Sequence, residues 1–386
     1  MLACQRGEFS LPHDVHFLNC AYMGPLPLRA QEAGIAGIRR KAVPTGIATD
    51  DFFRDSDTAR ALFAAIIGAP DRTRIAIIPS VSYGVATAAR NLPCAAGQRV
   101  VMAEGQFPSN VYAWRRFAAE HRGAVHTVPA PAGAQRGPAW TEAIVAAIDD
   151  ATAVVALPHV HWTDGTRFDL ERIGAKAREH GAAFIIDGTQ SIGAMAFDLD
   201  GIRPDAVLCA GYKWLLGPYG IGFGWFGPRF DNGVPLEETW LGRQGSHDFQ
   251  RLADYRDAYQ PGAVRYDVGE RSNFILLPMA IAAMRLVHGW GTAAIQDYCT
   301  RLFQPAIDNA AELGFTAEEP AWRGAHLFGL RTPPHLDLER LHRRLRQRGV
   351  HASLRGSALR VSPHVYNDER DAAALSAVLA ETVRAG

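Results

Sequence analysis

Lysine is scarce in this chain of 386 residues, occurring at Lys41, Lys176 and Lys213 alone. Chemistry that needs a side-chain amine therefore has few places to sit. Neither charge is in excess, because forty Lys and Arg balance forty Asp and Glu. A partner such as nucleic acid or an anionic membrane would demand a basic excess or stripe, so neither is expected. The cluster Arg343, Arg344, Arg346 and Arg348 falls in a helix-like stretch and reads as a solvated face. The five cysteines (Cys4, Cys20, Cys94, Cys209, Cys299) are never spaced as a metal or redox pair. That pattern fits free thiols in a reducing compartment. No apolar run approaches the roughly 20 residues of a membrane span. Residues 1–14 lack a basic patch followed by an apolar stretch, so no secretory signal is expected and a cytoplasmic location is. What remains is chemistry on small molecules.

The length exceeds one compact core, and two packed units are expected. Helical patterns cover Leu28–Ala42 and Asp51–Ile67. Short apolar runs follow at Arg74–Ile78, Arg99–Ala103, Thr152–Leu157, Ala182–Ile186, Ala206–Cys209 and Gly220–Phe226, alternating with amphipathic stretches such as Asn110–His121, Trp140–Ile148 and Leu170–His180. This alternation predicts an α/β fold, a mostly parallel sheet with helices on both faces. From Phe274 onward two long helical patterns, strands near His326–Arg331, Val350–Leu354 and Ala358–Ser362, and a last helix at Asp368–Arg384 predict a smaller α+β unit. The first 20 or so residues are expected to pack with it or over the cleft.

Ligands of an open α/β sheet sit beyond the carboxyl ends of its strands. The residues just after the runs are Ser80-Val81-Ser82, Gln106-Phe107-Pro108, His159-Val160-His161, Asp187-Gly188-Thr189-Gln190 and Gly211-Tyr212-Lys213. Lys213 sits in an apolar stretch, where desolvation lowers an amine's pKa and suits it to form a Schiff base. Alone, it reads more commonly as a surface Lys at a strand end. Asp187 reads either as the carboxylate that keeps a cofactor ring nitrogen protonated or as a turn cap.

Two segments decide between these readings. Ile186-Asp187-Gly188-Thr189-Gln190-Ser191-Ile192-Gly193, followed by Ala210-Gly211-Tyr212-Lys213-Trp214-Leu215-Leu216-Gly217-Pro218-Tyr219-Gly220, resembles the core signature of the aminotransferase class V enzymes of fold type I. That family includes cysteine desulfurases, kynureninases and isopenicillin-N-epimerase-like proteins, and its cofactor is pyridoxal 5'-phosphate. The resemblance implies a large domain with a mostly parallel seven-stranded sheet over residues 26–270, a small α+β domain over 271–386, and an N-terminal segment, 1–25, over the active site. It implies that Lys213 carries the cofactor as an aldimine, that Asp187 binds the pyridinium nitrogen and that Gln190 donates to the ring hydroxyl. Ser82 and the amides from Val81 to Tyr83 would cradle the phosphate at a helix start, where free amides and the dipole favour an anion. Tyr212 would reach toward the phosphate and Trp162 would line the cofactor. Phe107 would stack on the ring, or else be an ordinary core aromatic. Arg360, in Ala358-Leu359-Arg360-Val361-Ser362, would grip the substrate carboxylate, or else be a surface Arg of an edge strand. Asn19 and Tyr22 resemble the family's loop over the substrate. Gly269–Asn273 resembles a segment lent to the neighbouring subunit's phosphate site, which implies a homodimer with shared active sites.

Other signals are weaker. Gly222-Phe223-Gly224-Trp225-Phe226-Gly227 has dinucleotide-motif spacing, but it lies within an apolar run and Pro228 follows. A nicotinamide-dependent oxidoreductase is therefore disfavoured, as is an inactive scaffold. His159 and His161 read as cofactor-pocket lining, and no metal is expected. With no Cys after Cys299 and a Cys-free His351–Ser357, a Cys-dependent desulfurase is not expected. The reading is a lyase or epimerase acting at Cα or Cβ of an amino acid or its derivative, with a true aminotransferase as the alternative.

Overall fold

Buried β-branched and apolar runs build the centre of the molecule. The computed structural model describes residues 1–133 and 135–384. A two-residue strand, β1 (His16–Phe17), comes first, followed by helices α1 (Leu28–Ala42) and α2 (Asp51–Ile67). Strands and helices then alternate: β2 (Ile75–Ile78), α3 (Val81–Arg90), β3 (Arg99–Ala103), α4 (Tyr112–Glu120), β4 (Ala124–Val128), α5 (Gly137–Ala146), β5 (Thr152–Pro158), α6 (Leu170–Glu179), β6 (Ala183–Asp187), α7 (Leu199–Ile202), β7 (Ala206–Ala210) and β8 (Gly222–Phe226). These form a seven-stranded sheet in the order β2-β8-β7-β6-β5-β3-β4. Only β8 runs antiparallel to its neighbours. Strands β2, β6 and β7 are buried along their whole length, because helices cover both faces. One face packs Phe63, Trp140 and Ile173. The other packs Val85, Trp114 and Phe117.

Three sequence expectations are corrected. β4 is absent from the predicted strands because it lies at the sheet edge and reads Ala-Val-His-Thr-Val, with Val128 alone buried. An edge strand has no need of an apolar run. The run Val350–Leu354 is two strands, not one. β10 (Val350–His351) pairs in parallel with β1, whereas β11 (Ser353–Arg355) pairs with β12 (Ala358–Val361). The hydrophobic pattern continues through Ala352, but the two pieces have different partners. The first helical pattern read from Phe274 onward begins later, as α8 (Leu276–Trp290), where Asn273 Oδ1 accepts from the Ile275 and Leu276 amides.

α9 (Thr292–Glu312) follows, then β9 (Phe328–Arg331), which joins β12 and β11 in a three-stranded antiparallel sheet. α10 (Leu338–Gln347) buries Leu341 and Leu345 and exposes Arg343 and Arg346, and Arg348 just past its end is exposed too, whereas Arg344 is half-buried against Glu381. α11 (Glu369–Arg384) closes the chain. The glycine-spaced run is a strand, β8, with no dinucleotide turn. The N-terminal segment binds this second region, through β1 on β10 and through a bridge between Asn19 and Ser362. Among the described residues, no helix is long and apolar enough to cross a membrane.

Candidate active site

The carboxyl ends of β5, β6 and β7, together with the start of α3, surround a cavity of about 280 Å³. It is lined by Lys213, Asp187, Gln190, Tyr212, Phe107, Trp162, Val81 and Ser82, all anticipated from sequence. A second cavity of about 490 Å³ shares Lys213, Phe107, Trp162 and Tyr212, and adds Tyr22 and Arg360.

Lys213 follows β7 in a tight turn and is buried, with 5% of its surface exposed. Its Nζ lies 5.2 Å from the Phe107 ring centre and 5.6 Å from that of Tyr212. Burial lowers its pKa to about 8, although Asp187 pulls the other way. A lysine near 8 keeps a useful fraction of neutral, nucleophilic amine at neutral pH. The shift has a stability consequence. Below pH 8 both states hold the proton, and the folded apoprotein bears the full cost of a buried ammonium. Between about 8 and 10.5 the unfolded chain binds more protons, so stability rises with pH. Relative to Lys213→Met, the wild-type apoprotein should gain about 3 kcal/mol across that window, measured by urea unfolding at several pH values.

Asp187 ends β6, and its Oδ1 accepts from the Thr189 amide at 3.0 Å. Burial raises its pKa, while Thr189 and Lys213 counter the rise. A carboxylate in this position is completed by a cationic N–H, which a protonated pyridine nitrogen supplies. Gln190 is held at both ends: Oε1 accepts from Trp214 Nε1 at 3.0 Å and Nε2 donates to the Ala21 carbonyl at 3.2 Å. The amide is thereby fixed with its NH₂ as donor. At the start of α3, Ser80 caps the helix by accepting from the Tyr83 amide at 3.2 Å. The amides of Val81 and Ser82 have no acceptor among the described residues, and Ser82 Oγ lies 2.9 Å from Ser80 Oγ. Free amides at the positive end of a helix suit a phosphate. The cavity thus offers an anion cradle, a buried carboxylate and an amine, the three attachments of pyridoxal phosphate.

Arg360 is 1% exposed, so the edge-strand surface reading is wrong. Its Nη1 donates to the Trp162 carbonyl at 2.8 Å and its Nη2 to Asn19 Oδ1 at 3.3 Å. Asn19 lines neither cavity; it stands behind Arg360 and also accepts from Ser353 Oγ at 2.9 Å. Tyr22 is 60% exposed at the mouth of the second cavity. Trp162 is anchored through Nε1 to the Gly105 carbonyl at 2.7 Å and meets Phe107 edge-on, with ring centres 5.5 Å apart. The expectation that His159 and His161 line the cofactor pocket is corrected. Pro158, Val160 and Trp162 face it, and alternation sends the two histidines to the other side. His159 lines a separate cavity, and burial depresses both pKa values, to about 3 and about 4.

Sequence reasoning passed over Ser80, Thr189, Tyr219 and Arg355. Ser80 carried a signal, a Ser directly before a helical pattern. Thr189 accepts from the Ala210 amide at 3.1 Å and so ties the Asp187 loop to the Lys213 loop. Tyr219 and Arg355 had no local signal, since they reach the cavities through the turn after Lys213 and through a hairpin.

A family model described as Aminotransferase class-V matches residues 47–375. The chain belongs to this family. Pyridoxal phosphate is accordingly its cofactor, and the cavity fits that molecule. Within aminotransferase class V, the chain is 27% identical to an uncharacterized aminotransferase, YcbU, of Bacillus subtilis over 85% of this chain and 84% of that protein. It is 26% identical to isopenicillin N epimerase of Streptomyces clavuligerus, covering 95% and 94% of the two chains. The solved cysteine desulfurase of Thermococcus onnurineus superposes with a TM-score of 0.83 at 18% identity over the full length of both chains, a likeness of fold.

Proposed function

We propose that this class V enzyme acts at Cα or Cβ of an amino acid or amino-acid derivative as a lyase or epimerase. The observation that carries the reading is that Lys213 lines both cavities, with buried Arg360 in the wall of the second. Arg360 would take the substrate carboxylate, which orients the Cα–H bond toward Lys213 Nζ. When bound, pyridoxal phosphate supplies an electron sink for the developing carbanion. Lys213, near pKa 8, is matched to removing and returning a proton at Cα. Tyr212, whose pKa burial raises to about 12, keeps its hydroxyl proton and is a donor for the same space. Asp187, Gln190, Val81, Ser82, Phe107 and Trp162 would take the roles that the family resemblance implies, and the cavity they share supports this. Asn19 would act through Arg360, and Tyr22 at the substrate entrance.

The proposal leaves out a persulfide-forming desulfurase. None of the five cysteines lines either cavity. Cys20, whose Sγ is 3.8 Å from the Lys213 carbonyl, is buried and its pKa is raised to about 12, so it holds no thiolate. Transamination remains the second reading, favoured by the likeness to YcbU.

The division into 1–25, 26–270 and 271–386 and a homodimer with shared sites belong to the same proposal. Among the described residues, Lys213 is the one basic side chain that lines the first cavity, so a partner subunit would add charge to the helix-start amides at the phosphate. Arg271 cannot be that group in its own subunit, because it points inward to Asp267 at 2.8 Å, whereas Glu270 and Asn273 are exposed. Leu28, Ile35 and Ile38 also form an exposed apolar stripe on α1. Sedimentation should give twice the chain mass.

The fate of the amino acid is read by incubating the holoenzyme with L-amino acids in D₂O. Epimerisation gives Cα deuteration with loss of optical rotation, elimination gives ammonia and a 2-oxo acid, and transamination requires an oxo-acid acceptor. A holoenzyme that gives neither Cα deuteration nor ammonia with a 2-oxo acid, for every amino acid, sinks the reading.

A further inference from the structure

Two arginines, not one, stand in the second cavity. β11 and β12 form a hairpin in which Ser353 pairs with Arg360 and Arg355 with Ala358. Alternation puts Arg355 and Arg360 on the same face as diagonal neighbours, roughly 7–8 Å apart along the backbone. Both guanidiniums lie over the Trp162 ring, that of Arg355 at 5.4 Å from its centre and that of Arg360 at 6.0 Å. Both line the second cavity. Neither is paired with a carboxylate among the described residues; Arg355 Nη1 donates to the Leu354 carbonyl at 3.0 Å. The Nε atom of each is buried without a hydrogen-bond partner.

Like charges brought together without a counterion are costly in the empty protein. Burial first, and then the charge of Arg355, lowers the Arg360 pKa to about 9. An arrangement of this kind is relieved by a ligand carrying two negative groups. We propose that the second cavity is built for an amino-acid substrate whose side chain ends in an anion. Arg360 holds the α-carboxylate and Arg355 holds the side-chain anion. The assignment rests on the amino-acid reading above and deepens it.

The test uses ligands that bind without reacting. Holoenzyme is titrated calorimetrically with succinate, glutarate and adipate, with the monoanions butyrate and valerate, and with 3-phosphonopropionate. At least one dianion should bind about tenfold or more tighter than the monoanions, as charge-assisted bonds imply. In Arg355→Gln that preference should vanish while the visible cofactor band stays; Arg355→Lys should keep part of it. A dicarboxylate preference identifies an acidic amino acid, and a phosphonate preference identifies a phosphorylated side chain. Equal binding of monoanions and dianions by the wild type, or a preference that survives Arg355→Gln, overturns the proposal. Absence of the visible band from the wild type overturns the cofactor reading instead, and the two failures are separable.

Discussion

Replacing Lys213 with alanine should abolish the visible absorbance band of the purified protein and lower turnover by roughly 10³–10⁴, the scale of a lost general base and nucleophile. The size of the effect follows from scarcity. Lys41 and Lys176 lie on α1 and α6, far along the chain from the strand ends that form the cavity, and neither lines it. No other amine can take over. The scaffold itself should survive, because the substitution removes a buried ammonium, and melting of the apoprotein should show a midpoint at or above that of the wild type. Lys213→Arg keeps a charge yet offers no amine, so it should be as inactive as the alanine variant. Band and turnover retained in either variant would falsify the assignment of Lys213.

The second large effect lies under the site. Asp267 is fully buried, and its carboxylate accepts from Arg60 Nη1 at 3.0 Å, from Arg271 Nη1 at 2.8 Å and from the Ile77 amide at 2.8 Å. Arg60 and Arg271 are themselves buried. Asp267→Ala would leave Arg271 without an ion-pair partner in the interior, Arg60 with only the exposed Asp57 at 3.9 Å, and one amide of β2 without an acceptor. Breaking such a buried set costs about 3–5 kcal/mol. Asp267→Asn should cost less, because shape and one acceptor remain. Urea unfolding of the three proteins measures this directly. The loss should also reach the cofactor. The network clamps β2 just before Pro79 and Ser80, and Val268 donates to the Ile77 carbonyl at 2.9 Å. Cofactor affinity should therefore fall together with stability in Asp267→Ala. A stability loss below about 1 kcal/mol would mean that the charges find solvent once the partner is gone.

How much of this was legible beforehand depends on range. The buried parallel strands were readable because burial on both faces demands continuous apolar runs, as in Ile75–Ile78 and Ala206–Ala210. Lys213 and Asp187 drew notice by their place at strand ends, but their roles, and that of Gln190, were legible only through the resemblance of the two segments that hold them to the family signature. β4 was hidden by its edge position, and the split at Ala352 by the fact that a period-2 pattern says nothing about which partner each residue takes. The two histidines after β5 were placed on the wrong side, since which parity faces the cavity is set by packing around Val160 and Trp162. Arg355 was invisible as a site residue. Its relation to Arg360 is created by hairpin register, which the composition of Leu354-Arg355-Gly356-Ser357 does not reveal.

The N-terminal segment is fastened at both ends of the molecule. Gly24 lies so close to the Lys213 turn that an added Cβ would clash with the Lys213 carbonyl oxygen, and its amide donates to the Tyr212 carbonyl at 2.9 Å. The same segment pairs β1 with β10, and Asn367 Nδ2 donates to the Phe17 carbonyl at 3.1 Å. For a ribosome this order is awkward. Residues 16–19 leave the exit tunnel long before residues 350–362, and must wait, unpaired, for these partners. The large sheet can form while synthesis continues, but the wall that fixes Gln190 through Ala21 and Arg360 through Asn19 cannot. Chain closures of such long range are slow. A nascent chain should thus fold its cofactor cradle well before it can grip a substrate, and every polypeptide released short of Val350 should be left without a finished active site.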